Sequence, residues 1–249
     1  SVAACDLLDG VKDGLIRDPR DCYFDAADLI CKPGAPTPTC LTAGEARAIN
    51  QIWAGAKSTK GELLWYGIKE GAPMVGKLNP RGKRAQALAN PEAPFEISVE
   101  QPKYWVYLDP SWDWHSLTYK NYQAFFDKTI AMVEKVIGTD DADLTPFRDH
   151  GAKLLMWHGW ADPLIMPQGS VDYYDQVVAT VGKGNVSEVQ EFARLFMFPG
   201  VNHCGGGGPA MGYGTPLEIL RRWVEQGIAP DKIIASQTLA NGKTRTRPA

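Results

Sequence analysis

Residues 153–163 read KLLMWHGWADP. The unbroken apolar run from Leu154 to Trp157 predicts a short strand buried on both faces, and the His-Gly-Trp-Ala-Asp-Pro that follows predicts a loop leaving its carboxyl end. Working outward, residues 170–181 read as a helix, Leu195 to Phe198 as a second buried strand, and residues 216–226 as a helix closed by Gly227. A strand-helix-strand-helix order implies parallel α/β architecture, in which functional groups collect beyond the carboxyl ends of the strands. Asp162 holds that position after the first strand. His203 holds it after the second, within FPGVNHCGGGGP at 198–209.

An acid and then a histidine, each after a late strand, is the order of the last two members of a Ser-Asp-His triad in an α/β-hydrolase. The chemistry requires both. A serine hydroxyl is a poor nucleophile near neutral pH, so an imidazole must take its proton, and a carboxylate must hold that imidazole in the right tautomer. Taken singly, an Asp before Pro is an ordinary turn former and a histidine beside a strand is an ordinary structural residue; order and position together argue for catalysis. The nucleophile is not evident: no G-x-S-x-G occurs, and Gly169-Ser170 follows Asp162 and reads as a helix start. His158, four residues before Asp162, reads as a strand-end residue packing under the site. The four glycines at 205–208 match neither G-x-G-x-x-G nor a Gly-Lys-Ser/Thr phosphate loop, and read as a tight turn.

The rest of the chain sets the context. Its 249 residues are 44% hydrophobic and 22% charged with a net charge of -3, and no basic run suggests nucleic acid or an anionic membrane as partner. No apolar run approaches the roughly 20 residues of a membrane span. The opening SVAACDLLDG lacks the basic and apolar regions of a signal peptide, so the start reads as internal. Thr42 and Glu45 form a capping-box pattern opening a helix through Ala54. Residues 55–116 read as an irregular cap or inserted domain, and Tyr119 to Ile137 as an amphipathic helix with Tyr122, Phe125, Phe126, Ile130, Val133 and Ile137 on one face.

The cysteines at 5, 22, 31, 40 and 204 include no C-x-x-C, which disfavours structural zinc. The first four cluster among Pro and Asp where no strong core can form, as in a disulfide framework. Pairing Cys5 with Cys22 and Cys31 with Cys40 is preferred, although spacing alone allows three connectivities. Cys204 is left over. Asp6, Asp9 and Asp13, separated by glycines, supply hard oxygen ligands for Ca²⁺, with the carbonyls of Val11 and Leu15 completing the shell. The spacing is not that of an EF-hand, and a solvated acidic turn is the competing reading.

The segments CDLLDGVKDGLIRDPRDCYFD, CLT, HGWADPLIMPQGSVDYYDQV, PGVNHCGGG and RRWVEQGIAPDKIIAS together resemble the tannase and feruloyl esterase family of secreted serine hydrolases, which includes a bacterial mono(hydroxyethyl) terephthalate hydrolase. The resemblance runs over nearly the whole chain. It implies an α/β-hydrolase fold, with residues 1–145 forming most of a large, loop-rich, disulfide- and calcium-stabilised lid and residues 146–249 the C-terminal part of the core. It implies Asp162 as triad acid, His203 as triad base, a structural Ca²⁺ at Asp6, Asp9, Val11, Asp13 and Leu15, and disulfides Cys5–Cys22 and Cys31–Cys40. Cys204 would bond a cysteine just before the nucleophilic serine, in an upstream segment outside this chain. The implied activity is hydrolysis of small aromatic esters, galloyl, feruloyl or related, in a secreted or periplasmic setting without an organic cofactor. Trp105, Tyr107, Trp112, Trp114 and His158 are candidate pocket walls, with a packed lid core as the alternative for the aromatics. No arginine suited to a substrate carboxylate is evident at 103–125, which disfavours a terephthalate monoester. The reading from another class is a catalytically silent, calcium-stabilised extracellular binding module.

Overall fold

The computed structural model describes residues 1–34, 39–74, 94–212 and 214–249. Part of the irregular stretch expected at 55–116, residues 75–93, lies outside them. The chain divides into two compact units, one of Asp25–Ile68 with Pro73–Asp140, the other of Ser1–Phe24, Lys69–Ala72 and Asp141–Ala249.

In the first unit, α1 (Ala43–Ala54) starts where local chemistry dictates. The Glu45 N–H donates to Thr42 Oγ1 at 3.2 Å and the Thr42 N–H to the Glu45 carboxylate at 2.7 Å, the capping box expected. A short antiparallel pair follows, β1 (Ala56–Lys57) with β2 (Leu63–Trp65). Helix α2 (Tyr122–Ile137) begins later than the expected Tyr119, because the Thr118 N–H and hydroxyl both bond Asn121 Oδ1, at 2.7 and 3.0 Å, and hold 118–121 as a turn. Its Phe125 stacks with Tyr107 and Trp112 at centroid distances of 6.2 and 6.1 Å, so this unit packs around aromatic rings. Cys31 and Cys40 are bonded, as expected.

The second unit contains β3 (Leu154–Gly159), α3 (Pro167–Thr180), β4 (Ala193–Phe198), α4 (Thr215–Gln226), β5 (Ile234–Thr238) and β6 (Thr244–Pro248). Strands β3 and β4 pair in parallel from Leu154↔Ala193 to Gly159↔Phe198, and β5 and β6 pair antiparallel. The parallel strands are covered on both sides: Leu155 packs with Phe196, Phe198, Val201, Ile233 and Ala235, while Leu154 joins Val177, Val181, Val189 and Phe192. Trp157 departs from the continuous burial expected, being 51% exposed; an apolar run does not reveal how completely each face is covered. Helix α3 starts at Pro167 rather than Ser170, since proline supplies a helical φ and lacks the N–H that a first turn leaves unbonded. Helix α4 ends at Gly227, with φ +70°, as expected.

Ser1–Phe24 belongs with Asp141–Ala249. The Cys5–Cys22 bridge gathers Ile16, Val2 and Phe24 into a small core. Arg247 and Arg245, which share a face of β6 by strand alternation, donate to Asp9, Asp13 and the Asp13 carbonyl. Among the described residues no helix is long and apolar enough to cross a membrane.

Candidate functional site

Two loops build the site. The first leaves β3 at Gly159 and continues the pairing beyond the strands: the Trp160 N–H donates to the Phe198 carbonyl at 2.9 Å and the Ala161 N–H to the Val201 carbonyl at 3.0 Å. A Cβ at Gly159 would overlap the Val201 carbonyl, so glycine permits the two loops to approach. The second loop, after β4, folds back on itself through Gly208 N–H to Gly200 carbonyl (2.8 Å) and Asn202 N–H to Gly206 carbonyl (3.0 Å). Gly207, at φ +77°, fits this closure where a side chain would strike the Gly200 carbonyl. The glycine turn leaves His203 and Cys204 at the loop tip, Cys204 in the left-handed region at φ +58°. Gly159→Ala should therefore cost roughly 2–3 kcal/mol through forced separation of the loops, read as a lower urea midpoint; an unchanged midpoint would show that the loops can move apart freely.

Asp162 is 4% exposed. Its Oδ1 accepts from the N–H groups of Leu164 and Ile165 at 2.8 and 3.0 Å, and its Oδ2 faces His203 Nδ1 at 2.9 Å and His158 Nε2 at 3.2 Å. Burial acts to raise its pKa, but the donors His158, Ile165, Leu164 and His203 outweigh it and pull the carboxyl down to about 2. Asp162 is thus an anion at neutral pH, and each ring nitrogen facing it must carry a proton. For His203 this leaves Nε2 with a lone pair and no hydrogen-bond partner among the described residues, on a side chain 33% exposed. An imidazole held in this way can accept a proton through Nε2.

His158 lies beneath Asp162, its side chain 11% exposed, with Nδ1 2.8 Å from Ser170 Oγ on the first turn of α3. Both contacts were invisible to motif reasoning. The signals available were a histidine four residues before the acid and a serine one helical turn into α3.

The aromatic candidates belong to the other unit. Trp112 clusters with Tyr107 and Phe125, at centroid distances of 5.3 and 6.1 Å, Trp114 stacks on His115 at 3.8 Å, and Trp105 is 51% exposed. In the acidic loop, Asp6 Oδ1 accepts from the N–H groups of Asp13 and Gly14 at 3.0 and 2.8 Å. Burial acts to raise the Asp6 pKa, but these bonds, with one from the Leu15 N–H, outweigh it and hold the carboxyl below its ordinary range. Asp9 Oδ2 and Asp13 Oδ2 converge on one cation, the Arg247 guanidinium, at 2.9 and 2.8 Å. The donor types suit a hard cation, but among the described residues no group of three His, Cys, Asp or Glu side chains is arranged to hold a metal. Cys204 is an exposed thiol.

A parallel β-α-β unit that brings a carboxylate and an imidazole together beyond adjacent strand ends marks the chain as α/β-hydrolase-like. The family model for tannase and feruloyl esterase matches residues 1–249, and the chain belongs to that family. The sequence is 36% identical over 250 residues to a probable feruloyl esterase of Arthroderma benhamiae, covering 98% of this chain and 45% of that protein. It is 34% identical over 242 residues to feruloyl esterase C of Talaromyces stipitatus, covering 92% and 43%. The crystal structure of feruloyl esterase B from Aspergillus oryzae matches with a TM-score of 0.82 at 26% identity, over 99% of this chain and 50% of that one. The chain spans about half the length of the curated relatives it matches.

Proposed function

We propose that the protein is a carboxylic-ester hydrolase acting on phenolic esters of the feruloyl or galloyl kind, with His203 as general base and Asp162 as the acid that orients it. One observation carries the reading: His203 Nδ1 is committed to Asp162 Oδ2 at 2.9 Å, which leaves Nε2 free on a partly exposed loop tip. The family and its feruloyl esterase members support the substrate class. The nucleophile would be a serine outside residues 1–249, preceded by a cysteine bonded to Cys204.

In the acylation step His203 Nε2 takes the serine proton as the serine oxygen bonds to the ester carbonyl carbon. Collapse of the tetrahedral intermediate breaks the bond to the alcohol, which leaves with the proton returned by His203. Water then repeats the sequence on the acyl-enzyme and releases the aromatic acid. The exposed Cys204 thiol, beside the base, supports the proposed tether. The aromatic acyl pocket at Trp105, Trp112 and Trp114, and the lid role, rest on the resemblance.

The test is a fluorophosphonate applied to the native protein, with methyl ferulate hydrolysis measured alongside. One serine adduct is expected, on a peptide that runs disulfide-linked to the Cys204 peptide until reduced. Absence of both adduct and hydrolysis overturns the reading.

The same reading includes a structural Ca²⁺ held by Asp6, Asp9, Asp13 and the carbonyls of Val11 and Leu15, where a divalent ion would take over the lone pairs now shared with Arg247. Calcium at about 100 times its Kd adds about 2.7 kcal/mol to stability, roughly 5–10 °C for a chain of this size. Excess EGTA should remove that increment, and a melting temperature indifferent to EGTA counts against the site. A secreted or periplasmic location is part of the proposal, supported by two disulfides.

A further inference from the structure

We infer that His158, locked by Ser170, is a positioning residue that holds Asp162 from below and divides its negative charge between two imidazoles. The kinetic consequence rests on the esterase reading; the proton arrangement does not. All the polar positions of this carboxylate are in use: two backbone N–H groups bond Oδ1, and the two histidines bond Oδ2. His158 comes from β3, a paired strand, and Ser170 from α3, so the clamp spans two packed elements.

The hydrogen-bond logic fixes a single proton arrangement. His158 Nε2 faces an ionised carboxylate and must donate. In a neutral ring Nδ1 is then the acceptor, to which the Ser170 hydroxyl donates. The opposite tautomer would set a lone pair against the Asp162 anion. Asp162 selects this tautomer, and the Ser170 hydroxyl, which can donate or accept, fixes the ring by a second bond at 2.8 Å.

The division of charge bears on His203. When His203 takes a proton, the attraction of Asp162 stabilises the imidazolium; a carboxylate oxygen already accepting from His158 gives less of that stabilisation. The imidazolium then returns its proton to the leaving alcohol more readily, and His203 remains an active base at lower pH. Among the described residues the titratable groups facing the carboxylate are His158 from β3 and His203 from the loop after β4, with Cys204 beside the latter, while α3 contributes the uncharged Ser170. Arg20, which lies over the Trp160 ring in the first loop, is paired with Asp18.

The test uses His158→Phe, which keeps ring volume but removes the donor, His158→Gln, which keeps an N–H, and Ser170→Ala. In the native enzyme His158→Phe should lower kcat roughly tenfold at unchanged KM and move the acid limb of the kcat/KM profile up by about half a pH unit or more. His158→Gln should move the limb back towards the parent. In ¹⁵N NMR the parent His158 should show only the Nε2–H tautomer, and Ser170→Ala, which leaves the Asp162 contact in place, should retain it. A folded His158→Phe with parental kcat and acid limb overturns the proposal, as does a parent His158 protonated at Nδ1 with a bare Nε2. The NMR experiment needs no substrate, so an inactive protein would sink the esterase reading while this one is still decided. If His158→Phe does not fold, the His158→Gln profile and the tautomer spectrum of the parent decide it.

Discussion

Asp162→Asn should lower kcat on a phenolic ester by about 10⁴ while KM changes little. The geometry says why this isosteric change is so damaging. Leu164 and Ile165 N–H groups fix Oδ1 as an acceptor, so the asparagine must keep its carbonyl oxygen there and turn its NH₂ towards the Oδ2 position. That NH₂ would face His203 Nδ1, which then has to accept rather than donate. The His203 proton moves to Nε2, the atom that must be bare in the proposed mechanism. The same reversal is forced on His158, with Ser170 becoming the acceptor. Ring ¹⁵N shifts would report both flips, and a variant within tenfold of the parent kcat would remove Asp162 from the mechanism.

The same substitution has a pH signature in stability. The folded-state pKa of Asp162 is depressed, to about 2 from 3.8. Its contribution, roughly 2 kcal/mol, is therefore fully present above pH ~4 and is lost as pH falls from about 4 to about 2. In Asp162→Asn the loss of stability across that window should be correspondingly shallower, measured by urea unfolding at a series of pH values.

The placement of Asp162 and His203 was legible because strand ends obey a simple grammar: an apolar run, then a loop that carries polar groups beyond the carboxyl end. The start of α1 was legible for a similar reason, since the Thr42–Glu45 box is local chemistry. The His158–Ser170 contact was not, because it joins a strand to the helix after it, and serine behind glycine reads equally well as a helix start. The true start lay at Pro167. The partners of the acidic loop were hidden further still: Arg247 reaches Asp9 across 238 positions of sequence, and no local pattern connects a β6 residue to the N-terminal turn. That pairing also ties residues 1–24 to residues 141–249 within one compact unit.

His203→Ala should be the most severe single change, lowering kcat by about 10⁴- to 10⁶-fold, because it removes the atom that takes and returns the proton in the proposed mechanism. The informative measurement is the double variant. In the proposed mechanism Asp162 acts through His203 Nδ1, so once the imidazole is gone the carboxylate has no base left to orient. Asp162→Asn with His203→Ala should therefore be no slower than His203→Ala alone, although the separate losses multiplied together would predict a rate some 10⁴-fold lower. The fold should survive, since Asp162 in His203→Ala retains its bonds from Leu164, Ile165 and His158, and the melting temperature is the control. Multiplicative losses in a folded double variant would mean that Asp162 acts by a route independent of His203, and the division of roles between acid and base would have to be abandoned.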